Sequence, residues 1–243
     1  MTRTVFVAGA SGVIGAPLVR LLLDAGWRVY GSTRRAERAA ELHDAGVLPV
    51  VVDVFDANAL AAALRAVRPD LVVHQLTDLP SQRSPEAMAG ALARNARLRR
   101  DGTRHLVSAA LAAGCARMVA QSIAWAYAPG PLPCAEDDPL DTGAQGERAT
   151  SVEAVRVLES LVLGTRNLSG TVLRYGKLYG PGTWSETPSA DIALHVHDAA
   201  RAAFLAAERP EATGIFNVSE PDPQLNGERA ARLLGWEPGF RFA

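Results

Sequence analysis

Three glycines set three residues apart, Gly9, Gly12 and Gly15, are the residues whose type and spacing point most directly to chemistry. They lie in Val5-Phe6-Val7-Ala8-Gly9-Ala10-Ser11-Gly12-Val13-Ile14-Gly15, where a β-branched run gives way to a helical pattern. Each answers a separate steric demand. The first permits a sharp turn, the second removes a side chain where backbone must approach a pyrophosphate, and the third lets helix and strand pack closely. Free amides over Ser11, Val13 and Ile14, together with the helix dipole, then face the phosphates. The pattern predicts a dinucleotide site; the competing reading is a tight β-α turn with no ligand.

Further along, the end of the second predicted strand reads Ser32-Thr33-Arg34-Arg35. An NAD-selective site places an acid there for the ribose 2′-hydroxyl, whereas an arginine pair suits the 2′-phosphate of NADP. NADP is therefore the expected cofactor and NAD the alternative. The competing view of Arg34 and Arg35 is that they open an exposed helix. Asp53, closing the third strand, stands where such folds hydrogen-bond the adenine; it would serve equally as a helix N-cap.

The elements that must position these residues follow from the hydropathy pattern. Short β-branched runs at 4–8, 28–33, 48–53, 71–74, 118–122, 171–174 and 215–218 alternate with longer helical stretches, the arrangement of a parallel sheet covered on both faces. Ile14, Leu18, Leu21 and Leu22 recur at helical spacing, and Gly26 stops that helix. The expected fold is α/β, a Rossmann-type doubly wound parallel sheet of six to seven strands with a small, shortened C-terminal substrate lobe. Residues 1–176 are expected to form the dinucleotide-binding domain and 177–243 the lobe, with 192–218 returning to the sheet. A stretch from Tyr127 to Gly146, rich in Pro, Gly and acids, reads as a long surface loop over the site.

Composition narrows the function classes. A chain of 243 residues with 48% hydrophobic and 21% charged residues can bury a continuous core. A net charge of -1 offers no footprint for nucleic acid or an anionic membrane, so a small-molecule substrate is expected instead. Two cysteines, Cys115 and Cys134, make neither a disulfide framework nor a metal cluster, which suggests a reducing cytoplasm. The apolar opening from Val5 to Leu23 is broken by glycines, a serine and a proline, which argues against a signal peptide. No stretch is apolar enough to span a bilayer.

Taken in order, the glycine loop, Asp53-Val54, Val73-His74-Gln75-Leu76-Thr77, Ser122, Leu173-Arg174-Tyr175-Gly176, Tyr179-Gly180-Pro181-Gly182 and His195-Val196-His197-Asp198 resemble the landmarks of the NAD-dependent epimerase/dehydratase family, within the extended short-chain dehydrogenase/reductases. The resemblance runs nearly end to end. It implies that Leu76 and Thr77 line the path from phosphate to nicotinamide, that Tyr179 to Gly182 lie near the nicotinamide, and that the protein forms a homodimer. It also implies a Tyr-x-x-x-Lys pair on one helix face, where the ammonium lowers the phenol pKa and binds the ribose. This chain has no such pair. Its single lysine, Lys177, follows Leu173 by four, and no tyrosine lies between Tyr127 and Tyr175. Counting back from Glu159 puts the two positions at Ser151 and Val155.

Thr150-Ser151-Val152-Glu153 reads as a capping box instead, with Thr150 the N-cap. The catalytic candidates are then Ser122, where the family carries a hydroxyl for the reacting oxygen, and Tyr127 as a substitute acid, each equally readable as structural. His74 reads as a satisfied core histidine, and His195 and His197 lack further ligands, so no metal is expected. Glu136, Asp137 and Asp138 read as a solvated charge run, and Lys177 as an exposed residue. The leading expectation is an NADP(H)-dependent oxidoreductase of a small carbonyl or hydroxyl compound with a non-standard proton donor. An isomerase, epimerase or dehydratase retaining its nicotinamide, and a non-catalytic NADP(H)-binding sensor or scaffold, are the alternatives.

Overall fold

Strands that read Thr-Val-Phe-Val-Ala and Leu-Val-Val-His carry no polar alternation and must be covered on both faces. A computed structural model, describing residues 2–80 and 84–242, shows how this is done. In chain order the elements begin with β1 (Thr4–Ala8), α1 (Gly15–Asp24), β2 (Arg28–Thr33), α2 (Glu37–Asp44), β3 (Leu48–Val51), α3 (Ala57–Val67) and β4 (Leu71–His74). Then come α4 (Pro85–Met88), α5 (Ala91–Arg97), a π turn (Leu98–Gly102), α6 (Thr103–Ala112), β5 (Arg117–Ile123), α7 (Gly146–Gly164) and β6 (Ser169–Tyr175). Two short strands, β7 (Lys177–Tyr179) and β8 (Ala193–His195), precede α8 (Val196–Glu208) and β9 (Gly214–Val218).

Seven of the strands form one sheet in the order β3-β2-β1-β4-β5-β6-β9, every pair parallel. β7 and β8 make a separate parallel pair. The fold is the expected doubly wound α/β sheet. Alternate residues of each strand enter opposite cores. Val5, Val7, Val73, Leu173 and Phe216 pack with α1 and α8, while Phe6, Val72, Met118 and Val172 pack with α3, α6 and α7. At the start of α8 the fully buried Asp198 accepts hydrogen bonds from the Gly239 and Phe240 amides and from Arg241, pinning the end of the chain.

Two local expectations are corrected. β3 ends at Val51 rather than Asp53, because Asp53 folds a turn, its Oδ1 accepting from the Phe55 amide at 2.9 Å. The cap of α3 is Asp56, which accepts from Ala59 N. Nor is Thr150 a cap: α7 begins four residues earlier, at Gly146. Its first turn is anchored by Arg148, which donates to Asp141 Oδ2 at 2.6 Å and to the Trp125 and Tyr127 carbonyls. Glu153 turns to Arg156 instead of back to Thr150.

Candidate active site

The glycine loop owes its shape to contacts that no side chain would permit. Gly9 has φ +92°, and a Cβ there would lie 2.8 Å from the Gln75 carbonyl oxygen. At Gly15 the same atom would lie 1.9 Å from the Gly9 oxygen, so helix and strand meet backbone to backbone. Gly12 is different: a Cβ would meet only the Gly9 oxygen, at 3.2 Å, and its outer side is open. Behind it α1 starts with neither a capping side chain nor an acid in its first turn. With Ser11, Val13 and Ile14 this makes an uncapped, uncharged cradle that fits a dinucleotide pyrophosphate.

Arginines gather at its rim. Arg38, in the first turn of α2, donates from Nη1 to Ser11 Oγ at 3.3 Å. The sequence reading missed it, although Arg38 follows Arg34 and Arg35 at helical spacing. Arg34 is exposed and lies 4.0 Å from Asp78, which Arg94 also approaches at 3.7 Å. Arg35 is exposed as well, and its amide donates to Thr33 Oγ1. Asp53 is exposed at the carboxyl end of β3, and the Val54 carbonyl pairs with the His105 ring.

Beyond β4, the Leu76 carbonyl accepts from Gln121 Nε2 at 3.2 Å, and Thr77 faces solvent. The segment after β7 crosses between these loops. A Cβ on Gly182 would lie 3.2 Å from Val13 Cγ1, and Trp184 Nε1 donates to the Pro80 carbonyl at 2.9 Å. Tyr179, at the root of this strap, donates to Glu220 at 2.5 Å; burial first, then the Glu220 bond, pushes its phenol pKa up.

Neither catalytic candidate presents a free hydroxyl. Ser122 is buried and donates to Glu159 Oε1 at 2.8 Å, while Arg174 clamps both Glu159 oxygens at 2.9 and 2.7 Å. Tyr127 is 7% exposed, donates to Asn217 Oδ1 at 2.6 Å and lies under the Arg174 guanidinium. Burial raises its phenol pKa. Glu136 belongs to the same buried network rather than to a solvated charge run, accepting from the Asn217 amide at 3.0 Å.

Where a phenol and an ammonium would stand on α7, Ser151 is partly buried and Val155 is fully enclosed. Val152 and Val155 pack with Ile123 and Ala126 into an apolar cluster. Lys177 does not reach that helix as a partner; it pairs with Asp191 at 2.6 and 2.7 Å. His74 is a satisfied core residue: the Leu76 amide donates to Nδ1, leaving Nε2–H for Thr103 Oγ1 at 3.1 Å. His195 and His197 stack edge to face at 4.8 Å, each Nδ1 accepting a backbone N–H. Among the described residues no three His, Cys, Asp or Glu side chains gather as metal ligands, and no helix is long and apolar enough to cross a membrane.

Residues 5–194 match the family model described as "NAD dependent epimerase/dehydratase family". The chain belongs to that family. Within it, the chain is 44% identical to a Streptomyces protein named 3-diazoavenalumate denitrifying reductase, over 96% of this chain and 82% of the relative. Two solved structures share the fold. The Bordetella bronchiseptica enzyme WbmG in complex with NAD superposes with a TM-score of 0.76 at 20% identity, covering 100% of this chain and 91% of that one. UDP-glucose 4-epimerase from Bifidobacterium longum, in complex with NAD+ and UDP, gives 0.75 at 14% identity, covering 98% and 94%.

Proposed function

We propose that this family member is an NADPH-preferring reductase that delivers hydride to an electrophilic small molecule needing no proton from the protein, with an aromatic diazo compound as the substrate class. The observation that carries this reading is the loss of the proton-donating pair: Ser151 and Val155 stand at its two positions, and Val155 packs with Ile123, Ala126 and Val152 into an apolar cluster. Reduction of a carbonyl requires a proton on oxygen as well as a hydride on carbon. Replacement of a diazonium group does not: hydride forms the new C–H bond, the C–N bond breaks, and dinitrogen leaves with no proton to be supplied. The relative named as a diazo-compound denitrifying reductase supports that substrate class.

The bound nicotinamide would supply the hydride. The chain's own part is to hold and orient: Gly9, Gly12 and Gly15 admit the pyrophosphate, and Leu76 and Thr77 flank the way to the reacting ring. Tyr179 to Gly182 close over it, while the apolar cluster keeps water from the hydride path. Ser122 and Tyr127 act as buttresses of β5, β6 and β9, not as acids. Ser11, Arg34, Arg35 and Arg38 form the candidate 2′-phosphate clamp and support NADP over NAD.

Calorimetric titration of the cofactor-free protein with NADPH and NADH tests the cofactor side. Arg38→Ala is expected to weaken NADPH by about tenfold, the worth of a charge-assisted hydrogen bond, and to leave NADH within about twofold. Equal affinities for the two cofactors in the parent protein would remove the NADP preference. For the chemistry, nitrogen release from an aryl diazonium probe with matching NADPH oxidation is the expected result; turnover of carbonyl compounds alone would overturn the proton-free reading.

A further inference from the structure

α5, the π turn and α6 form one helical rod from Ala91 to Ala112, and the π turn at Leu98–Gly102 inserts an extra residue into it. Such turns are uncommon inside helices and favour functional positions, because the added residue re-aims the side chains around it. Here the turn packs against α7. Gly102 lies close under Leu98, where a Cβ would stand 2.9 Å from Leu98 Cδ1 and the leucine tip would have to shift.

Arg99 sits on this turn, partly buried. The titratable groups that sense it are Glu159 on α7 and His74 at the end of β4. Among the described residues Arg99 forms no hydrogen bond and no salt bridge. Glu159 does not serve as its partner, because Arg174 holds both carboxylate oxygens and Ser122 donates to one of them. His74 brings no negative charge, and burial holds it neutral. Desolvation draws the Arg99 pKa down to about 10, which still leaves a cation at neutral pH. A partly buried guanidinium without a partner is destabilising, so a bound group that accepts its hydrogen bonds would offset that penalty.

Its surroundings indicate which group. His74 and Ser122 lie at the carboxyl ends of β4 and β5, the side on which open α/β sheets bind ligands. Glu159 follows Val155 by four residues on α7, so the two share a helix face. Arg99 therefore brings a positive charge from a neighbouring helix to the corner where Val155 has replaced the lysine.

We propose that Arg99 takes over the missing lysine's contact with the cofactor, its guanidinium fork donating to the two hydroxyls of the nicotinamide-side ribose. A vicinal diol offers two acceptors to the two parallel N–H groups of the fork. Because guanidinium holds its proton at neutral pH, this restores the binding half of the lost pair and leaves the proton-transfer half absent. The inference rests on the nicotinamide-cofactor reading given above.

Titration of cofactor-free protein with NADPH, and with 2′,5′-ADP, which lacks the nicotinamide riboside, separates the two claims. Arg99→Met is expected to weaken NADPH by about tenfold or more, with 2′,5′-ADP unchanged within about twofold. Arg99→Lys, which keeps a cation, is expected to recover much of the loss, and Arg99→Gln carries the same comparison should methionine not fold. Unchanged NADPH affinity in these variants overturns the proposal. Equal weakening of both ligands overturns it too, since Arg99 would then act on the fold or the adenine half. Parent protein that binds neither ligand overturns the cofactor reading itself.

Discussion

Tyr127 shows how a single hydroxyl can look available in a sequence and be engaged in the fold. Its bond to Asn217 Oδ1 ties the long loop to β9, and Arg174 covers its ring. Tyr127→Phe removes the donor and leaves a buried amide oxygen unpaired, an expected loss of about 1–3 kcal/mol. Urea unfolding should register that loss while turnover per folded molecule stays near the parent value; a collapse of turnover at unchanged stability would return Tyr127 to the chemistry. Ser122 follows the same logic, because its proton points at a carboxylate already clamped by Arg174.

At the scale of elements, the joint between β4 and α6 carries a pH response. His74 is buried and bonded to Thr103, and burial, reinforced by the Arg99 charge, pulls its pKa from 6.5 to about 4. Between those values the unfolded chain takes up a proton that the native state refuses, so stability falls as the pH drops from 6.5 toward 4. The expected loss is about 3 kcal/mol across that window. Denaturant unfolding at pH 7.5 and 5 should register about 2 kcal/mol of that loss, and His74→Asn should flatten the difference. A parent and variant with parallel pH profiles would mean that another group carries the linkage.

Elements also mark what was legible in the sequence. The glycine loop and the strand runs at 4–8 and 28–33 stood out because steric demands and short runs with β-branched and aromatic residues are local properties. Asp53 was expected to end β3 and Thr150 to cap α7, and both were displaced by tertiary contacts: the Asp53 turn and the reach of Arg148 across to Asp141, Trp125 and Tyr127. Arg38 could have been found by helical spacing from Arg34. Arg99 could not, since one arginine in the run Arg97 to Arg100 is singled out only by a π turn and by which neighbours are already paired.

Across the whole molecule, the strap after β7 touches both the glycine loop, through Gly182 against Val13, and the loop after β4, through Trp184 on Pro80. A dinucleotide lying from the cradle toward Thr77 would pass beneath it. Trp184→Ala is expected to speed NADPH release by about fivefold, the equivalent of one lost hydrogen bond, as measured by stopped-flow displacement; an unchanged rate would mean that the strap does not span the exit. If the substrate of the proposed reductase enters beneath the same strap, the two ligands do not come and go independently. The expected signature is a strict queue: cofactor enters first and leaves last, and product inhibition is competitive only between the oxidised and reduced cofactor.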